Sequence, residues 1–317
     1  MKLLLPMLLL TAGTGSAAAA TGWSWQSTPD SVALRQDQQT VWQFNFGTNE
    51  TKPCFHPVAL PGGPVLTWYR PPDHPWHRAL WFSWKFINGV NYWEENPKTG
   101  LAAGRTEWKH PASELRPDFS ARLVLDLTYR PENAQPVMTE HRAIECAPPD
   151  ERGFIVQDWT LTFTALGSDV FLDRTPLPNE PGGQVYGGYA GLSVRLVQEM
   201  GDVRLTAREG PIAFTAGRYR GQASALDYAG TIDGRAAGVA ILDHPENLNA
   251  PSPWYAINDN AMRYFSPAVI CYQPHTLKAG RSLTLRYRVI AHPGRWDAAK
   301  LQSESKRYLG QQKLSDQ

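Results

Sequence analysis

Three stretches of this chain alternate apolar and polar side chains at a period of two, and that pattern leaves few folds open. "SARLVLDLTYR" sets Leu123, Leu125, Leu127 and Tyr129 on one face of an extended segment. After the turn residues Pro131, Glu132 and Asn133, a second strand runs through Val137 to Ile144, which is a hairpin pattern. "FIVQDWTLTFTAL" opposes Ile155, Gln157, Trp159, Leu161 and Phe163 to Phe154, Val156, Asp158, Thr160 and Thr162. "RSLTLRYRVIAH" opposes Leu283, Leu285, Tyr287 and Val289 to Thr284, Arg286 and Arg288. Shorter strands are expected near 41–46, 64–69, 79–86, 187–197, 222–229, 235–242 and 269–273. Only Trp296 to Leu309 carries a helical stripe, through Ala298, Leu301 and Leu309. Strands without crossover helices bury their faces against another sheet. The expected fold is therefore all-β: one large antiparallel β-sandwich over 21–310 with a short C-terminal helix, followed by a disordered tail at 311–317.

Composition narrows the function classes. With 42% hydrophobic and 11% aromatic residues the chain has ample material for a core, and disorder is excluded. Lys and Arg number 31 against 30 Asp and Glu with no basic run, which excludes nucleic acid as the main partner. "MKLLLPMLLLTAGTGSAAAAT" has one lysine, a short leucine-rich run and a closing alanine cluster, the layout of a signal peptide over 1–20. The apolar run is too short to cross a bilayer, so the mature chain is expected to be periplasmic or secreted, without a membrane span. Cys54, Cys146 and Cys271 lie far apart with no C-x-x-C, leaving one disulfide plus a thiol, or three buried thiols, both open.

The densest chemistry lies in "PPDHPWHRALWFSW". Prolines 71, 72 and 75 forbid a helix, so Asp73, His74 and His77 are presented from a loop that feeds a strand. The imidazoles of His74 and His77, with His56, are candidate acid–base groups. The H-x-x-H spacing is also that of a metal pair, with His56 or Asp73 as a third ligand, but no metal and no cofactor is assigned. Arg78 can clamp a substrate anion or hold the loop by pairing with Asp73 or Glu94. In "NYWEEN", Glu94 and Glu95 sit beside Tyr92 and Trp93, where partial burial would raise a carboxyl into the general-acid range; Glu94 is the catalytic candidate. Asp243 and His244 end a strand, where an aspartate can orient an imidazole, although the same residues make an ordinary turn. Trp76, Trp93 and Trp254 are expected in loops beside these groups, offering faces on which a sugar ring can stack. Together with Asp73, Arg78, Asp243 and His244 they form the candidate binding set. No nucleotide-binding, serine-hydrolase or H-E-x-x-H motif occurs.

Three segments, "KPCFHPVALPGGPVLTWYRPPDHPWHRALWFSW", "LDYAGTIDGRAAGVAILDHPEN" and "LKAGRSLTLRYRVIAH", resemble a bacterial family of unknown function labelled methane oxygenase PmoA-like. The F-H-P and P-P-D-H-P-x-H-R elements are the most specific, and the resemblance covers nearly the whole mature chain. It implies a supersandwich similar to that of galactose mutarotases, frequent export, and gene neighbours that metabolise sugars. It does not imply a membrane oxygenase, because no segment after the leader is apolar for long enough to span. The chain departs from the family wording at Ala79, where a glycine often follows the arginine, and in "LPNEPGGQVYGGYAGLSVRL", which lacks a histidine that many members carry.

The function expected from these readings is an exported carbohydrate-active enzyme, a hydrolase, lyase or epimerase using histidine and carboxylate acid–base chemistry. Two alternatives stay open: a non-catalytic glycan-binding or envelope interaction protein, and a metal-dependent enzyme using the H-x-x-H loop.

Overall fold

The alternating segments pair into two large antiparallel sheets in the computed structural model, which describes residues 22–315. The proposed signal peptide lies outside the described residues. One sheet has nine strands, in the order Trp23–Ser27, Ser31–Gln36, Gln39–Asn45, Cys54–Val58, Leu80–Ser83, Gly191–Leu196, Arg263–Pro267, Pro253–Asn258 and Arg218–Gln222. The ten-stranded sheet runs Gly210–Ile212, Gly201–Ala207, Ala225–Ile232, Arg235–Asp243, Ser282–Pro293, Ile155–Ala165, Met138–Cys146, Ala121–Pro131 and Gly104–Trp108, with Ala112–Leu115 also pairing on Ala121–Pro131. A smaller sheet has four strands, in the order His275–Leu277, Val170–Asp173, Phe86–Ile87 and Val90–Asn91. The expected all-β antiparallel sandwich is thus the observed one.

The faces follow the alternation. In the predicted hairpin Leu123 pairs with Ile144 and Leu127 with Glu140, so the period-two apolar set points into the sandwich. Aromatic contacts then bridge the two sheets: Phe55 to Trp159 at 5.6 Å, Phe82 to Phe163 at 5.1 Å and Tyr228 to Phe265 at 5.4 Å between ring centroids. An ionic group interrupts this apolar layer. Glu140 accepts from the Tyr129 hydroxyl and from Arg142 Nε and Nη2 at 2.6 and 3.0 Å, and no side chain of the three is more than 1% exposed.

Two predicted strands fall elsewhere. Residues 64–69 make only isolated bridges, Val65 to Ala59, Thr67 to Leu196 and Tyr69 to Arg78, and Pro64 has no N–H to give to a ladder. At 269–273 the chain turns, and the strand lies earlier, at Arg263–Pro267. The helix starts at Ala298, capped by Asp297 Oδ1 on the Lys300 N–H at 2.8 Å, and runs to Ser315. It therefore continues through 311–315, which the sequence reading left as a tail; Gly310 is helical here and does not act as a stop. The helix covers the outer face of the ten-stranded sheet, where Trp296, Leu301 and Tyr308 pack on Ala240, Leu242 and Ile290. All three cysteines are free and buried, which settles the open alternative, and burial pushes the Cys271 thiol up to about 11. No helix among the described residues is long and apolar enough to cross a membrane.

Candidate functional site

The nine-stranded sheet is apolar on both faces, and the second face builds the site. Along Leu80–Ser83, Leu80 and Phe82 join the main core while Trp81 joins a separate outer cluster. Along Pro253–Asn258, Trp254 and Ala256 face the core, and Tyr255 and Ile257 face outward; Phe265 and Tyr264 divide in the same way. Trp81, fully buried, is the floor of the outer cluster. Rings close above it in a circle. His77 lies 5.9 Å from Trp93, Trp93 5.3 Å from Tyr189, Tyr189 6.3 Å from Tyr255, Tyr255 6.2 Å from Tyr264, and Tyr264 5.6 Å from His77.

This circle bounds a cavity of about 470 Å³, within the size range of small-molecule sites. Asp73, His74, Trp76, His77, Trp93 and Glu94 all line it, so the proline-rich loop and the "NYWEEN" segment meet there. The loop is two consecutive turns, His74 N–H to Pro71 O at 3.0 Å and His77 N–H to His74 O at 2.9 Å. Arg78 locks it from behind. Its guanidinium donates to Glu50 at 3.1 Å, to both oxygens of Glu95 at 2.8 and 3.0 Å, and to the Pro75 carbonyl at 2.6 Å. Lys52 adds a bond to Glu95 at 3.1 Å, and burial pushes its amine down to about 8. The opposite wall comes from the glycine-rich segment before Tyr189. A Cβ on Gly187 would stand 1.9 Å from the Pro176 carbonyl oxygen, so no larger residue allows this close turn.

Two titratable groups with charged partners face the cavity. Asp73 Oδ2 pairs with His74 Nδ1 at 2.8 Å, and Arg195 Nη2 donates to both Asp73 oxygens at 2.9 and 2.8 Å. Burial pushes the Asp73 carboxyl up, but the His74 hydrogen bond and the Arg195 charge outweigh it and hold the group below its ordinary value. An ionised carboxylate only accepts, so His74 donates from Nδ1 and its Nε2 is left to take or give a proton. Glu94 is bound by Lys85, by Asn91 Nδ2 at 2.6 Å and by the Tyr189 hydroxyl at 2.7 Å. Burial raises this carboxyl, yet the Lys85 charge and these donors lower it further, so Glu94 is ionised. The shift is thus downward, where partial burial alone was expected to raise it, and an ionised carboxylate accepts hydrogen bonds without donating them. His77, 4% exposed, is held well below the usual histidine range, first by burial and then by the charges of His74 and Arg195. It is a neutral hydrogen-bonding ring, and its Nδ1 has no partner in the protein.

Other residues singled out in the sequence lie elsewhere. His56 stacks on Tyr69 at 5.5 Å and pairs with Thr67 Oγ1 at 3.1 Å, and burial pushes it down to about 4. Arg78 is fully buried behind the loop on Glu50 and Glu95, not on Asp73 or Glu94. Trp254 is in the main core, its indole N–H on the Ala223 carbonyl at 2.7 Å, because the period of two turns it away from the face that Tyr255 occupies. Asp243 ends its strand and His244 opens the turn that follows, near the C-terminal helix, with Asp243 accepting from Asn247 at 2.6 Å and from the Ser252 N–H at 2.7 Å. Among the described residues no three His, Cys, Asp or Glu side chains converge as a metal-ligand set. Arg195, Tyr189, Tyr255 and Tyr264 were not singled out in the sequence. An arginine inside the apolar strand "GLSVRL" is the one signal that could have found Arg195, since such a charge needs a buried partner.

Asp243 supports a pH prediction. Burial pushes its carboxyl from 3.8 up to about 6, so the folded protein holds this proton more tightly than the unfolded chain does. The group's contribution is greatest below the unfolded value and is lost as pH rises through the folded one. Asp243→Asn should therefore lose about 3 kcal/mol less stability than the parent between acid and neutral pH, read from urea midpoints. Equal losses in the two proteins would show that Asp243 does not titrate as its burial requires.

No curated protein matches the chain. Among solved structures, the galactosidase domain of the α-galactosidase–sucrose kinase AgaSK is similar over 86% of this chain at 9% identity, with a TM-score of 0.37. The chain spans 41% of that protein's length. A galactose mutarotase related enzyme from Lactobacillus acidophilus is similar over 87% of this chain and 99% of its own, at 9% identity and a TM-score of 0.31. Similarity at this level assigns neither a substrate nor a residue role. The sequence match is more extensive: residues 31–306 fit the family of unknown function DUF6807, which carries no oxygenase designation, and the chain belongs to that family.

Proposed function

We propose that this protein is an exported enzyme acting on a glycoside or sugar derivative, with His74 and Glu94 as its proton-transfer groups. The observation that carries the reading is the convergence, in one cavity, of an Asp73-oriented imidazole, an ionised carboxylate and a circle of aromatic rings. Sugar rings present C–H faces that stack on indole and phenol, while their hydroxyls need charged or polar partners at the edges. Trp76, Trp93 and Tyr189 supply faces, and Glu94 and His74 supply edges. Asp73 keeps His74 in the tautomer whose Nε2 exchanges a proton, and Arg195 keeps Asp73 ionised. Glu94 accepts the proton that such a reaction removes from a hydroxyl or a carbon next to a carbonyl, and Lys85 and Tyr189 hold it in place.

The test is a panel of mono- and oligosaccharides of gluco, galacto, manno, xylo and arabino type, followed by calorimetry for binding and by NMR for turnover. Turnover is expected for at least one member. Binding without turnover would support the non-catalytic reading, and no binding would overturn the sugar assignment. Export is checked alongside: mass spectrometry of periplasmic protein should find an N-terminus near Thr21, and an intact Met1 in the cytosol would overturn it.

A further inference from the structure

The charges around the cavity are arranged in closed pairs. Three carboxylates reach its wall, and each has a cation of its own. Glu94 is paired with Lys85, Asp73 with Arg195 at 2.8 Å, and Asp259 with Arg218 at 3.7 Å. Lys85 and Arg195 are themselves buried, at 4% and 0% exposure, so their charge is fixed behind the wall and cannot turn toward a ligand. A ligand cation would therefore compete for carboxylates that already have a counter-charge, Asp73 and Glu94 at hydrogen-bond distance and Asp259 at 3.7 Å. The ring faces are engaged in the same sense. The Arg220 guanidinium stands 4.6 Å over Tyr255 and the Lys85 ammonium 5.4 Å over Tyr189, so two of the rings already have a cation against a π face. A ligand anion fares no better, since three carboxylates lie at the surface and Arg218 is the one arginine or lysine among the residues that line the cavity.

Apart from Nε of Arg218, what remains unpaired on the lining residues is neutral. His77 Nδ1 and the Trp76 indole N–H are buried and lack a protein partner, and both residues line the cavity. Buried polar atoms of this kind are normally satisfied, by protein, water or ligand. Hydroxyl groups, each both donor and acceptor, suit a wall that offers carboxylate acceptors and neutral donors together.

We infer that the site selects an uncharged sugar and discriminates against both uronic acids and amino sugars. The inference rests on the sugar reading above and adds the charge class of the substrate to it.

The experiment is a matched competition. Glucose, galactose and mannose, as monosaccharides and as dimers, are each compared with the corresponding uronate and amino sugar by calorimetry on the full chain. The neutral member of the best-bound set should bind at least about tenfold more tightly than either charged counterpart, a modest demand for one uncompensated charge. In Lys85→Met, Glu94 loses its cation, and the discrimination against the amino sugar should shrink by about tenfold or reverse. The unmodified protein carries the main comparison, so failure of the variant to fold leaves the inference testable. A charged sugar bound as tightly as its neutral counterpart would overturn the inference while leaving the sugar reading intact. Absence of binding by all three charge classes would overturn both.

Discussion

Glu140→Leu is expected to cost about 3–5 kcal/mol of stability, or to prevent folding altogether. Arg142 cannot shed its proton, is fully buried, and already has one terminal nitrogen without a partner. With Glu140 removed, a guanidinium would stand between the two sheets near Phe82 and Trp159, its centre 6.0 and 5.9 Å from their rings, with no counter-charge at hand. The double variant Glu140→Leu with Arg142→Met replaces both charges by apolar volume and should regain most of the loss, since such replacement is commonly neutral or stabilising. Guanidinium unfolding of the three proteins measures this directly. A single variant within about 1 kcal/mol of the parent would mean that water reaches Arg142 and that the interior is wetter than its packing indicates.

His74→Ala is the second large effect, this time on turnover and not on folding. Positioned acid–base groups contribute about 10²–10⁴-fold to rate, so kcat should fall by that much on whichever sugar the panel identifies. The His74 side chain is 34% exposed, so its removal should leave the thermal midpoint almost unchanged. Glu94→Gln should lose rate by a similar factor, and because it also leaves Lys85 without a counter-ion, its folding must be checked by circular dichroism before its rate is read. Retained turnover in folded protein of both variants would remove the proton-transfer assignment.

The fold class was legible because period-two alternation is local, and a strand's inward residues can be counted along the chain. Leu123 through Tyr129 and Ile155 through Phe163 are buried where the pattern puts them. The site was legible only in part. The proline-rich loop announces itself through residues that forbid helix, and its Asp73, His74 and His77 all reach the cavity. The direction of the Glu94 shift was not readable, because it depends on Lys85 and on Tyr189, 95 residues away in sequence. Arg78 was placed with the wrong carboxylates for the same reason: Glu50 and Glu95 meet it only after the sheet forms. Trp254 shows a different limit. Its strand was not recognised, so there was no parity by which to tell that Tyr255, one residue on, faces the cavity.

A sheet with one face in the core and the other under the cavity has a consequence for how this protein can change. Along Pro253–Asn258 adjacent residues answer to different demands, Trp254 and Ala256 to folding, Tyr255 and Ile257 to whatever the cavity holds. Substrate preference can therefore drift at alternate positions while the intervening ones stay constrained, with each strand carrying two independent records, interleaved residue by residue. A single inserted residue would exchange the two sets at once, moving tyrosine into the core and tryptophan into the site. Homologues should accordingly diverge there by substitution and keep their strand lengths fixed.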